Sequence, residues 1–188
     1  MDALLYSFTG VAIAEIGDKT QLLSLFLAAR FRSKLGICAG ILVATLLNHA
    51  ASAWLGAWVT QFIPVTWQAP LLGGSFIAVA LWLLIPDKDD SEESSWLKYG
   101  AFAASCLLFF VAEIGDKTQI ATVLLAATYD ATWLVILGTT LGMLAANVPV
   151  VYFGALLMAK IPLDLARKAA CAVFFAIGIL TIASGFLK

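Results

Sequence analysis

Almost the whole of this 188-residue chain is taken up by six apolar segments. They cover about residues 3–29, 35–60, 69–86, 96–128, 132–159 and 164–187, and each could cross a hydrocarbon core of roughly 30 Å, which takes about 20 helical residues. Inside lipid every backbone N–H and C=O must find a partner within the protein, so spanning segments are helices or the strands of closed barrels. A barrel would show short apolar–polar alternations, and none is written here. The expected fold is therefore all-α and polytopic, with six transmembrane helices. The first and fourth segments are overlong for one crossing, so tilt, a break or both are expected there. Composition agrees: 62% of residues are hydrophobic and 12% charged, where a soluble domain has about half and a quarter.

The few charges are unevenly placed. Arg30, Arg32 and Lys34 lie in the first connection, Lys88 and Lys98 in or beside the third, and Lys160, Arg167 and Lys168 in or beside the fifth. The second and fourth connections have no Lys or Arg. By the positive-inside rule the odd connections are cytoplasmic and both termini are on the other side. Met1-Asp2-Ala3 has no basic region or cleavage pattern of a signal peptide, so the first segment is read as a retained helix. Net charge is −1, which excludes the basic face a nucleic-acid partner needs. Cys38, Cys106 and Cys171 are isolated in apolar runs and read as small buried residues.

An internal repeat organises the chain. Ala14–Gln21 and Ala112–Gln119 both read AEIGDKTQ, at an offset of 98 residues, and the same offset pairs Gly40 with Gly138 and Gly56 with Gly154. Asn48 and Asn147 come within one residue of it. Each half then holds three helices: residues 1–86 form the first repeat, 87–95 an acidic cytoplasmic linker and 96–188 the second repeat. Three is odd, so the second half is expected to enter the membrane inverted, as in many secondary transporters whose site lies at the midplane between repeats.

The motif sets charges inside that bilayer. Each costs roughly 2.5–3.5 kcal/mol at its centre, so six facing lipid would cost on the order of 15–20 kcal/mol. They must face the bundle interior and be paired, hydrated or bound. On an ideal helix Glu15, Asp18 and Lys19 share an arc of about 100°, with Lys19 four residues after Glu15 as an intrahelical partner, and Glu113, Asp116 and Lys117 repeat this. Thr20 points elsewhere unless the helix loosens, which Gly17 and Gly115 allow. Four carboxylates and two ammonium groups leave −2, the complement of one divalent cation. With hydroxyls of Thr20 and Thr118 and amides of Asn48 and Asn147, the set is rich in oxygen and suits Ca²⁺ or Mn²⁺ better than Cu⁺ or Zn²⁺. Crowded carboxylates also let protons compete with the metal. A purely structural lattice of ion pairs would leave Asp18 and Asp116 without a role.

These residues resemble a known family. Glu-x-Gly-Asp-Lys-Thr, present in both three-helix halves, is similar to the motif of the GDT family of Golgi and bacterial manganese/calcium exchangers, within the lysine-exporter-like superfamily. The resemblance covers the whole chain. It implies export of Mn²⁺, with Ca²⁺ as a further cargo, in exchange for protons across a bacterial inner membrane, with Glu15, Asp18, Glu113 and Asp116 as metal ligands and Lys19, Thr20, Lys117 and Thr118 beside them. The eukaryotic members' longer N-terminal extension is missing, which points to a bacterial source. No resident cofactor is expected; the metal is cargo.

Gln21 and Gln119 are expected to act directly or through water, and Asn48 and Asn147 as ligands or interhelical ties. His49, the single histidine, has no evident counterpart in the second half. The Gly36/Gly40 and Gly138/Gly142 pairs read as close-packing motifs, and Trp54, Trp58, Trp67, Trp96 and Trp133 as interfacial anchors. The acids of the linker read as a solvated segment. An intramembrane enzyme would need several histidines or an activated nucleophile, so catalysis is not expected. The alternative kept open is an exporter of an organic cation or amino acid. A passive channel fits an occluded central charge less well.

Overall fold

The structure, a computed structural model, describes residues 2–85, 95–158 and 163–186. The described residues are helical apart from short turns, without strands. The helices are α1 (Asp2–Ala14), α2 (Lys19–Arg30), α3 (Lys34–Thr60), α4 (Val65–Trp82), α5 (Gly100–Glu113), α6 (Lys117–Thr128), α7 (Thr132–Met158) and α8 (Leu163–Phe186), with a short 3-10 turn over Ser95–Tyr99 ahead of α5. The acidic linker, apart from Ser95 at its end, lies outside the described residues, as do Lys160, Pro162 and Lys188.

Five stretches are long and apolar enough to cross a membrane: Lys34–Thr60, Val65–Trp82, Trp96–Glu113, Thr132–Gly154 and Lys168–Gly185. The first apolar segment is not one of them, because the motif divides it into α1 and α2, of 13 and 12 residues. The fourth is divided at its own copy into α5 and α6. The expected break is thus found in both overlong segments, and its cause is local. Gly17 and Gly115 have φ of 82° and 76°, a region that a side chain disfavours and that ends an α-helix. The chain is a multi-pass membrane protein, and its outer face bears the apolar side chains lipid requires, among them Leu35, Leu47, Leu55 and Phe153. Trp54, Trp58, Trp67 and Trp133 are exposed near helix ends, as an interfacial belt demands.

One expected boundary moves. The third segment, read as starting near residue 69, starts earlier: α4 begins at Val65 with Pro64 as its N-cap, and Pro70 lies within the helix. The connection is held by Gln68, whose Nε2 donates to the carbonyls of Thr60 (3.2 Å) and Ile63 (3.0 Å). α7 carries a break at Gly154 (φ 48°, ψ −129°).

The packing keeps the sequence offset. α1 lies on α7 and α5 on α3; α2 lies on α7 and α6 on α3. A Cβ placed on Gly40 would meet the Phe102 carbonyl and the Ser105 side chain, and one on Gly138 would meet the Leu4 carbonyl and Ser7. Gly56 abuts Val123 as Gly154 abuts Leu25. Each of these partners is displaced by 98 residues, so the contacts exchange between halves. The close-packing role expected of Gly40 and Gly138 is met at these crossings.

α4 and α8 keep the offset between themselves and depart from it in their further contacts. They pack on one another, with Gly73 against the Gly178 carbonyl and the reverse. α8 also touches α1, and α4 touches α6. Phe76 of α4 and Phe174 of α8 meet at 6.2 Å between ring centroids, within an apolar core that takes in Leu125 and Val135. A second apolar core takes in Leu27, Ile37, Ile41, Phe109 and Val151.

Candidate cation site

Both copies fold alike. α1 ends at Ala14, Glu15 to Gly17 turn, and Asp18 stands extended (φ −82°, ψ 166°) as the N-cap of α2. α5 ends at Glu113, and Asp116 (φ −75°, ψ 162°) is the N-cap of α6. Each turn is clipped by the glutamine of its own copy. The Gly17 amide donates to Gln21 Oε1 (2.8 Å) and the Gly115 amide to Gln119 Oε1 (2.6 Å). The motif glutamines are therefore builders of the break, and Gln21 Nε2 further ties α2 to the Ala146 carbonyl of α7 (3.0 Å).

Because the helix breaks, the arc expected of an ideal helix does not form. The intrahelical Glu15–Lys19 pair is replaced. Lys19 Nζ reaches Asp116 Oδ1 of the other copy at 2.9 Å, and Lys117 Nζ donates to the Ile85 carbonyl beyond α4 (2.8 Å). The break also brings the threonines in. Thr20 Oγ1 donates to Glu15 Oε2 (2.5 Å), and Thr118 Oγ1 to Glu113 Oε2 (3.1 Å) and Asp116 Oδ2 (3.2 Å).

Glu15, Glu113 and Asp116 converge: each offers a carboxylate oxygen, and the three lie within 4.8 Å of one another. All three are buried, the two glutamates completely. Glu15 Oε1 and Glu113 Oε1 have no hydrogen-bond partner. At 4.8 Å two carboxylates repel by about 3.5 kcal/mol at an effective dielectric constant of 20, so the trio needs a counter-charge or protons. Together with Lys19 the ionised trio carries −2. Asp18 is buried too but stands outside the convergent trio, so three of the four expected ligands come together. The amino ends of α2 and α6, positive by the helix dipole, begin at the site.

The asparagines take different places. Asn48 Nδ2 donates to the Phe110 carbonyl (3.0 Å), tying α3 to α5. Asn147 accepts from Ser24 Oγ (2.9 Å) and donates to the Met143 carbonyl (3.1 Å), tying α7 to α2. Ser24 went unnoticed in the sequence, although its counterpart at the 98-residue offset, Thr122, is also a hydroxyl. The offset itself pairs Asn147 with His49 and Asn48 with Ala146, so His49 does have a counterpart.

Residues 3–91 and 101–188 match the family described as "Divalent cation/proton antiporter GDT1". The chain belongs to this family. It is 53% identical over 182 residues to a Vibrio cholerae serotype O1 protein named "Putative manganese exporter", covering 96% of this chain and 90% of that protein. It is 29% identical over 162 residues to a GDT1-like protein of Synechocystis, covering 70% of this chain and 73% of that one. No solved structure matches it significantly. Membership of an antiporter family agrees with a transporter rather than an enzyme.

Proposed function

We propose that this chain exports Mn²⁺ from the cytoplasm across a bacterial inner membrane in exchange for protons, with Ca²⁺ as a second cargo. The observation that carries this reading is the convergence of Glu15, Glu113 and Asp116, one carboxylate from the first motif copy and two from the second. An oxygen trio with unpartnered acceptor atoms suits a hard divalent ion, and the −2 sum with Lys19 matches its charge. The family and the Vibrio relative's name support the cargo.

In this reading α1 and α2 form one interrupted crossing and α5 and α6 another, giving six crossings in two inverted repeats. Residues 1–86 and 96–188 are the repeats, joined by the cytoplasmic linker 87–95, with both termini outside. The exchanged contacts of Gly40 and Gly138 support an internal two-fold axis. Rocking of one repeat against the other opens the site to alternate sides. Protons arriving from outside displace the metal, and Lys19 holds Asp116 when the metal has left. Asp18, Lys117 and the paired threonines complete the surroundings of the ion.

The test is flux into proteoliposomes under an imposed pH gradient. Gradient-driven Mn²⁺ movement lost in Glu15→Gln and Asp116→Asn is the expected result. No movement of Mn²⁺ or Ca²⁺ by the intact protein would sink the reading and favour an organic cation instead.

A further inference from the structure

A cavity of about 260 Å³ opens between the last turns of α2 and the broken end of α7. Leu25, Ala28, Val151 and Phe153 give it an apolar wall, and Gly154 stands at the break. Lys34, the first residue of α3, is the only charged residue that lines it.

The internal repeat shows why the space exists. At the 98-residue offset Gly154 is equivalent to Gly56, and Leu25 to Val123. At Gly56 the helices close up. A Cβ there would collide with the Val123 carbonyl, and Thr60 Oγ1 bonds the Gly56 carbonyl (2.7 Å) and reaches that of Ala127 (3.5 Å). The position equivalent to Thr60 is Met158, which has no hydroxyl to make such a tie. At Gly154 the backbone turns to positive φ instead, and a Cβ would meet only the end of the Leu25 side chain, at 3.4 Å. At this level α2 and α7 stand apart where α6 and α3 touch.

The place of the cavity in the membrane sets what fills it. Lys34 belongs to the basic first connection with Arg30 and Arg32, both exposed, so the cavity lies at the basic end of α2. Tyr152 and Phe153 at its edge are exposed and belong to the outer face of the bundle. Lys34 Nζ donates to the Ala28 carbonyl (2.5 Å), one of those left over at the end of α2, and this uses one of its three N–H donors. An ammonium beside an apolar wall that runs into the lipid-facing surface complements a phosphate ester carrying an acyl chain. Basic pockets between membrane helices recur as places for anionic headgroups. A free anion would leave the apolar wall unused, and a zwitterionic lipid would leave the charge unused.

We propose that this cavity binds an anionic phospholipid of the leaflet beside the basic connections, its phosphate at Lys34 and its acyl chain against Leu25, Val151 and Phe153. Arg30 and Arg32 add to the attraction of that leaflet. The site shares no residue with the carboxylate trio, and it goes beyond the cation reading without resting on it.

The experiment uses detergent-purified full-length protein and native mass spectrometry. Phosphatidylglycerol and phosphatidylcholine with the same acyl chains are added in competition, and inorganic phosphate is added separately. Expected is preferential retention of phosphatidylglycerol. The preference should fall about fivefold in Lys34→Gln, the scale of one basic residue at an anionic surface, and be kept in Lys34→Arg. Ala29→Phe puts a ring into the cavity from an exposed position and should lower retention with Lys34 in place. That variant tests the site even where Lys34→Gln loosens the end of α2. Equal retention of the two lipids by the intact protein would overturn the proposal. Retention unchanged in both Lys34→Gln and Ala29→Phe would put any bound lipid elsewhere and overturn it too. Displacement of phosphatidylglycerol by inorganic phosphate would mark a free-anion site and overturn the lipid assignment. Metal flux enters none of these readouts, so a failure of the cation reading leaves them untouched.

Discussion

Glu113→Gln separates a metal ligand from a structural acid, because it keeps the shape and an acceptor for Thr118 but deletes one charge. Glu113 is fully buried, and its carboxylate lies within 4.8 Å of those of Glu15 and Asp116. At an effective dielectric constant of 20, three ionised pairs at that distance oppose one another by on the order of 10 kcal/mol. The Lys19–Asp116 bridge at 2.9 Å returns about 6 kcal/mol on the same scale. Removing the Glu113 charge removes two of the three repulsions and leaves the bridge intact. The metal-free variant should therefore unfold at an equal or higher temperature than the parent. Its response to metal should move the other way. At Mn²⁺ one hundred times the parent dissociation constant, the parent gains about 2.7 kcal/mol by mass action. A variant binding about a hundredfold more weakly gains only about 0.4 kcal/mol at that concentration. The assay is thermal unfolding in detergent, followed by tryptophan fluorescence with and without MnCl₂. A lower midpoint without metal, together with an undiminished Mn²⁺ shift, would refute the argument and mark Glu113 as a structural acid.

Gly17→Ala and Gly115→Ala force a side chain onto φ of 82° and 76°; each should cost about 1–2 kcal/mol in unfolding free energy and lower Mn²⁺ flux, since the turn positions its own carboxylate. Gly40→Val and Gly138→Val drive side chains into the Phe102 and Leu4 carbonyls and should destabilise by about 1–3 kcal/mol, whereas Gly74→Ala, with open space around it, should be close to neutral in the same melts. Lys19→Gln frees Asp116 and leaves the trio at −3, so Mn²⁺ should bind more tightly by calorimetry while turnover in proteoliposomes falls. Mn²⁺ affinity should weaken as pH falls, because a protonated carboxylate cannot ligate and each bound metal releases protons; calorimetry in buffers of different ionisation heat counts them.

The sequence displayed the fold class and the residues of the site more readily than it displayed their connections. Apolar length and the solvation of backbone groups require membrane helices whatever the packing. The repeated octapeptide identifies its own charges as costly and hence functional. What escaped was the effect of a single backbone angle. With Gly17 helical, Lys19 would sit a turn from Glu15; with Gly17 at positive φ, the helix restarts and Lys19 reaches Asp116 of the other copy instead. Thr20 and Gln21 change roles for the same reason, one bonding Glu15 and the other clipping the turn. Asp18 and Asp116 are identical in sequence, yet only Asp116 joins the trio, because local pattern holds no information on which copy lies nearer. The pairing of Asn147 with His49 was hidden by an asparagine one residue away that points at α5.

The departures from symmetry carry as much mechanism as the symmetry. A site built from two identical motifs around an axis would offer matching carboxylates to both sides and give no reason for an ion to move one way at a given moment. Here the duplicated residues share turns and hydroxyl bonds, but their further contacts differ. Lys19 holds Asp116, Lys117 reaches the Ile85 carbonyl, α8 leans on α1 and α4 on α6. If transport proceeds by the two halves exchanging conformations, these are the contacts that must exchange. Disulfide trapping offers a direct check: Gly40→Cys with Ser105→Cys joins α3 to α5, and Gly138→Cys with Ser7→Cys joins α7 to α1. Both crossings tie the first repeat to the second, so if the repeats rock against one another either bridge should stop Mn²⁺ flux, and reduction should restore it. Flux that survived both bridges would mean that the moving surfaces lie elsewhere, and the exchange would have to be redrawn.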